Sequence, residues 1–126
     1  MLLVTDFDKI SNEVLAIDEA MRYFGITDPE GTIIYNKMKK GKTSLKSPDQ
    51  ESRFAVDLSI VKKIQEGYDE QLGKVTSIHL IREKLHQLIY HVGDFMVYVT
   101  CEREIDDHHL LQIDKKTKSI IQQHIG

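Results

Sequence analysis

Val75-Thr76-Ser77-Ile78-His79-Leu80-Ile81-Arg82, His86-Gln87-Leu88-Ile89-Tyr90-His91-Val92 and Phe95-Met96-Val97-Tyr98-Val99-Thr100-Cys101 follow one another with almost nothing between them. β-branched and apolar residues dominate these runs, and Gly73 stands before the first as a breaker. Gly93-Asp94 parts the second run from the third, a two-residue hairpin signal in which glycine takes the positive φ of a primed turn. Glu83-Lys84-Leu85 links the first to the second and is charged and short enough for another hairpin. The segment therefore predicts three consecutive antiparallel strands. Alternation puts Ile78, Leu80 and Arg82 on one face of the first strand, with Ser77, His79 and Ile81 on the other. In the third strand Phe95, Val97, Val99 and Cys101 share a face, opposite Met96 and Tyr98. Neither face is plainly polar. Such a sheet needs one side covered, and the other partly covered by a helix or a partner.

Upstream, Thr5 or Asp6 is suited to cap a first helix, in which Phe7, Ile10, Val14, Ile17 and Met21 recur at spacings of three and four. Tyr23 to Thr27 and Thr32 to Met38 then read as strands joined by Asp28-Pro29-Glu30-Gly31. In that turn Asp28 caps, Pro29 presets φ, and Gly31 ends it in the left-handed region. After a loop from Lys39 to Lys46, Ser47-Pro48-Asp49-Gln50 is a helix start: Ser47 caps, Pro48 takes the first helical position and Gln50 reaches back. Phe54, Leu58, Val61, Ile64, Tyr68 and Leu72 continue at helical spacing until Gly73 stops the helix. Downstream of the meander, Asp106 or Asp107 caps a last helix running to Ile125, with Leu110, Leu111, Ile113, Ile120 and Ile121 inward.

The order is α-β-β-α-β-β-β-α. Two hairpin units separated by a helix are most economically placed in one five-stranded antiparallel sheet, an α+β fold with helices on its faces. The 126 residues, with no internal repeat or low-complexity run, predict a single domain over 1–126. Such a chain buries roughly two-thirds of its unfolded surface. With 40% hydrophobic and 29% charged residues it is not a disordered chain. A net charge of -3 supplies no basic field for a phosphate backbone, so no nucleic acid is expected. The single cysteine, Cys101, forbids an internal disulfide and fits a reducing cytoplasm. Met1-Leu2-Leu3-Val4 is followed at once by Asp6 and Asp8, too short an apolar run for a signal peptide or a membrane span.

The element order, the hairpin Tyr23-Phe24-Gly25-Ile26-Thr27-Asp28-Pro29-Glu30-Gly31-Thr32-Ile33-Ile34-Tyr35 and the closing meander resemble the roadblock/dynein light chain-like domain. More broadly they resemble the profilin-like and longin-like superfamily. Arg22 to Gly31, together with Leu72-Gly73-Lys74-Val75, is also similar to small uncharacterised archaeal proteins, those of ammonia-oxidising archaea. The resemblance implies a domain that dimerises and serves as a scaffold or regulator of small GTPases, with no catalytic residue to carry over. The expected function is thus a non-enzymatic regulatory domain acting through protein contacts as a homodimer, with no cofactor. A PAS-like small-molecule sensor is the alternative, since PAS domains also use Asp-x-x-Gly hairpins. An enclosed apolar cavity between sheet and helix would favour that reading, and a filled core would remove it.

Lys39, Lys40, Lys42 and Lys46 are the candidate contacts for an anion or an acidic partner, read against the plainer view of a solvated loop. Lys40-Gly41-Lys42-Thr43 echoes the end of a Walker motif, but the first glycine and the strand-to-helix context are missing. Tyr35, Phe54, Leu58 and Val61 are the candidate dimer interface. No metal site is expected: His86 and His91 should face opposite ways on one strand, and His108 and His109 diverge at a helix start. Cys101 reads as a small buried thiol rather than a nucleophile, with Glu102 beside it to raise its pKa. The strand tyrosines Tyr23, Tyr35, Tyr90 and Tyr98 read as packing groups, not as a base-stacking platform.

Overall fold

A computed structural model describes residues 4–125. Its elements are α1 (Val4–Leu15), β1 (Met21–Thr27), β2 (Ile33–Met38), α2 (Pro48–Glu66), α3 (Asp69–Leu72), β3 (Ser77–Ile81), β4 (Leu85–Val92), β5 (Phe95–Glu102) and α4 (Asp107–His124). The five strands form one sheet in the order β2-β1-β5-β4-β3, and every neighbouring pair is antiparallel. β1 and β5 lie inside, where Phe24 pairs with Val99 and Ile26 with Val97. The two edges are β2 and β3.

The alternation read from the strands divides the core in two. Phe24, Ile26, Leu88, Tyr90, Val97, Val99 and Cys101 face α1 and α4, which add Phe7, Ile10, Val14, Ile113 and Ile121. Tyr23, Ile89, Met96 and Tyr98 face the other way with Ile78 and Leu80, and α2 lays Phe54 and Leu58 on them.

Local signals fix most boundaries. Ser47 Oγ accepts from Gln50 N while Gln50 Oε1 accepts from Ser47 N, and Pro48 opens α2. Asp28 Oδ1 accepts from Glu30 N at 3.0 Å and Thr32 N at 2.9 Å, and Gly31 turns at φ 86°. Gly31 has a second constraint. A Cβ there would lie 2.6 Å from Ala55 O and 2.7 Å from Val56 Cα, so the hairpin's backbone rests directly on α2.

Four expectations are corrected. First, α1 already includes Val4, so Thr5 and Asp6 lie in its first turn rather than before it, where Asp6 suits the helix dipole. Second, α1 ends at Leu15, and Met21 opens β1 opposite Cys101. Asp18 makes the break: its side chain accepts from Ala20 N and its carbonyl from Met21 N, a turn that takes the chain off the helix axis. Third, the middle helix stops at Glu66. Gly67 N and Tyr68 N bond three residues back, tightening the last turn, and a short α3 follows before Gly73 at φ 80°. Fourth, α4 buries Ile113, Thr117 and Ile121, whereas Leu111 is exposed. Asp106 caps α4 by accepting from His109 N.

Candidate interaction surface

Helix α2 is apolar on two opposite sides. Leu58 and Ala55 point to the sheet and Phe54 lies half-buried beside them. At 100° per residue, Val56, Ile60 and Ile64 share a line on the far side, with Val61 flanking it. They remain 43%, 49%, 60% and 40% exposed respectively. Tyr68 and Leu72 prolong the exposed apolar surface past the end of the helix. A surface helix ordinarily has one apolar stripe and one polar face. The second stripe here has no cover among the described residues. Close by, β3 is hydrogen-bonded to β4 alone, leaving the outer row of its backbone groups unpaired in the sheet.

The candidate interface residues fall on different sides of this arrangement. Val61 is on the exposed flank of α2. Phe54 and Leu58 are occupied by the chain's own sheet, with the Phe54 ring 5.0 Å from that of Tyr98. Tyr35 sits on the opposite face of the sheet. Its ring packs with Phe7 and Phe24, and its hydroxyl donates to Asp8 and contacts Ser11. That bond and the nearby Lys37 ammonium hold the Asp8 carboxyl below its usual range. Sequence spacing gathers apolar positions at helical intervals and even fixes how far successive ones drift around the helix, but not which side of the helix meets the sheet.

The lysine loop is bound into the fold. Lys39 Nζ donates to the carbonyls of Leu15 at 2.6 Å and Asp18 at 3.1 Å, filling acceptors at the end of α1. Lys42 pairs with Glu102 at 2.7 Å, where Arg22 also reaches the carboxylate, and the two cations hold its pKa below the usual range. Lys46 pairs with Glu51 at 2.9 Å and stands over the rings of Phe54 and Tyr98 at 4.0 and 4.9 Å. Lys40 is exposed. Three of the four candidate ammoniums are thus committed to the chain itself, in place of a converging set.

The described residues gather no reactive chemistry. No group of three or more His, Cys, Asp or Glu comes together at metal-binding distance among them. Cys101 is fully buried, and burial with the nearby Asp18 and Glu102 pushes its thiol up to about 12, so it stays protonated. His79 and His86, neighbours on the α4 side of β3 and β4, do meet: His79 Nε2 lies 2.9 Å from His86 Nδ1. His86 Nε2–H donates to Arg103 O, which leaves Nδ1 to accept from His79. Burial, with the Arg103 charge nearby, lowers the His86 pKa. Hairpin register placed this pair, and the register could have revealed it in advance. The space between α2 and the sheet under Tyr23, Phe54 and Leu58 closes to about 10 Å³, at most one water, whereas an open pocket of about 250 Å³ lies between the sheet and α4, lined by His79, Leu88, Tyr90, Leu110 and Leu111.

No family model matches the sequence, and no curated protein matches it at the sequence level. Solved structures do match the fold. The gliding protein MglB from Thermus thermophilus superposes with a TM-score of 0.75 at 11% identity, covering 96% of this chain and 89% of that one. The roadblock/LC7 domain from Streptomyces avermitilis gives 0.64 at 12% identity, over 92% and 95%. The chain has the roadblock fold. A profilin, LokiProfilin2 solved with rabbit actin, is a more distant likeness at a TM-score of 0.52 and 16% identity, over 95% and 98%. The roadblock fold here comes without a helix long and apolar enough to cross a membrane among the described residues.

Proposed function

We propose that this roadblock-fold chain is a non-enzymatic regulatory or scaffold domain of the cytoplasm that works as a homodimer through protein contacts. The observation that carries the reading is the second apolar stripe of α2. Covering the exposed half of a Val or Ile side chain is worth on the order of 1 kcal/mol, and a twofold interface uses every such residue twice. The open edge of β3 supports the same arrangement. β3 against β3 and α2 against α2 would join two sheets into one continuous layer and dry both stripes. One of the matched structures is described as MglB with a tetrameric arrangement, so self-association is known for that protein on this fold. The partner class that the roadblock resemblance implies is a small GTPase, which the dimer would hold or regulate without contributing catalytic groups.

The test is the mass in solution. Sedimentation at high micromolar concentration should give a dimer for the native chain and a monomer for Ile60→Asp. A native chain that sediments as a monomer would remove the proposal.

A further inference from the structure

The most exposed large apolar side chain described is Leu72, at 81%, on the last residue of α3. Beside it lie Asp69 and Glu70, and α3 carries no basic residue. At the opposite end of the molecule is an open groove of about 670 Å³, where the loop before α2 meets the β3–β4 turn. Its apolar lining on the α2 side is Leu45, Phe54 and Leu85, of which Leu45 is itself largely exposed, while Ile81 only borders it, on the face of β3 that carries His79. Its charged rim holds Lys46, Arg82 and Lys84 against a single acid, Glu83. Lys46 is already paired with Glu51, so Arg82 and Lys84 supply the excess positive charge. One chain therefore carries an acidic apolar knob and a basic apolar socket.

The two cannot meet within one chain. α2 runs from the groove, where Phe54 lies, to the start of β3, where Lys62 and Glu66 flank Val75 and Thr76. The five residues of β3 alone hold the two ends roughly 16 Å apart. Antiparallel pairing of β3 with its own copy reverses that geometry. The end of β3 in one copy then lies beside the start of β3 in the other, and the segment from Leu72 to Thr76 runs on past Ile81 toward the partner's β3–β4 turn. Knob and socket also stand on the same side of the sheet, the α2 side, and a twofold axis normal to the sheet keeps them there.

We infer that Leu72 of each copy seats in the Leu45–Phe54–Leu85 groove of the other, with the acidic α3 lying against Arg82 and Lys84. This rests on the homodimer proposed above and adds to it a specific interlock, made twice per dimer. It accounts for two exposed apolar features with one contact, and the opposite charges orient the encounter. The groove is then filled by a second copy of this chain.

Crosslinking tests the inference. Leu72→Cys and Leu45→Cys are made separately, mixed in equal amounts and oxidised gently. Both positions are exposed, so folding should survive, and the buried Cys101 thiol stays silent. The mixture should give a disulfide between the two different chains, while each variant alone gives little. Glu70→Lys and Lys84→Glu should each weaken the dimer, and their combination should restore it. Leu72→Asp should raise the dimer dissociation constant by roughly tenfold or more, as expected for losing a buried leucine contact. A dimer by sedimentation with no mixed disulfide, or with dissociation unmoved by Leu72→Asp, overturns the interlock while the dimer stands. A monomer overturns both.

Discussion

On the α1 and α4 side of the sheet, Phe24, Ile26, Val97 and Val99 are fully buried, and the helices above add Ile10, Val14 and Ile113. On the α2 side the buried set is smaller, and the helix that covers it turns a second row of Val and Ile outward. One face of this sheet is finished within the chain; the other carries its apolar surface up one layer and leaves it there. Apolar surface that is tied down by a chain's own packing reports on folding, whereas apolar surface on the far side of a covering helix reports on association. The two regions should therefore respond differently to the same kind of substitution.

The sharpest contrast is in the closed face. Phe24→Ala should lower the unfolding free energy by about 3–5 kcal/mol, read from urea titration, with little dependence of the loss on protein concentration. A loss below about 1 kcal/mol would mean that this face is looser than its burial implies. Next in size is Gly31→Ala, which forces a side chain into the left-handed region and against the α2 backbone. About 2–4 kcal/mol should be lost, with α2 becoming the first element to exchange its amide hydrogens. Protection lost first in α1 or α4 would show that the hairpin does not seat α2.

Smaller still is the effect of Lys39→Met, which removes the ammonium from the end of α1 and should cost about 1 kcal/mol. If the lysines served only an external partner, stability would not change. The smallest expected effect is acidic. His86 and His91 are both depressed by burial, so the unfolded chain binds protons first as pH falls past the ordinary histidine value of 6.5. Stability contributed by the neutral rings is present above that value and is lost as pH drops toward the depressed native values. Urea midpoints measured from pH 7.5 to 5.5 should fall, and His86→Gln should flatten the slope. A steeper slope in the variant would contradict the assignment.

Much of this fold was legible because its signals are local. Ser47-Pro48 with Gln50, Asp28 to Gly31 and Gly93-Asp94 each settle a boundary with side chains a few residues apart. Alternation in β5 likewise sorted Val97 from Tyr98 correctly. What could not be read depends on where the chain returns. Met21 keeps helical spacing with Ile17, yet Asp18 has already turned the backbone toward β5. Lys39 resembles any loop lysine until the end of α1 arrives beneath it. Val61 and Ile64 continue the spacing begun by Phe54 and Leu58, but two successive steps of three residues at 100° each turn Ile64 about 120° away from Leu58 and off the sheet. The same drift that blurred the interface in the sequence creates the second stripe in the fold.

The central claim is that this second stripe is dried by another copy of the chain, and equilibrium sedimentation of the native protein beside Ile60→Asp tests it most directly. The account predicts a concentration-dependent dimer for the native chain and a folded monomer for the variant, with monomer stability changed by no more than about 0.5 kcal/mol. A native chain that stays monomeric at high micromolar concentration, or an Ile60→Asp variant that dimerises undiminished, would contradict it.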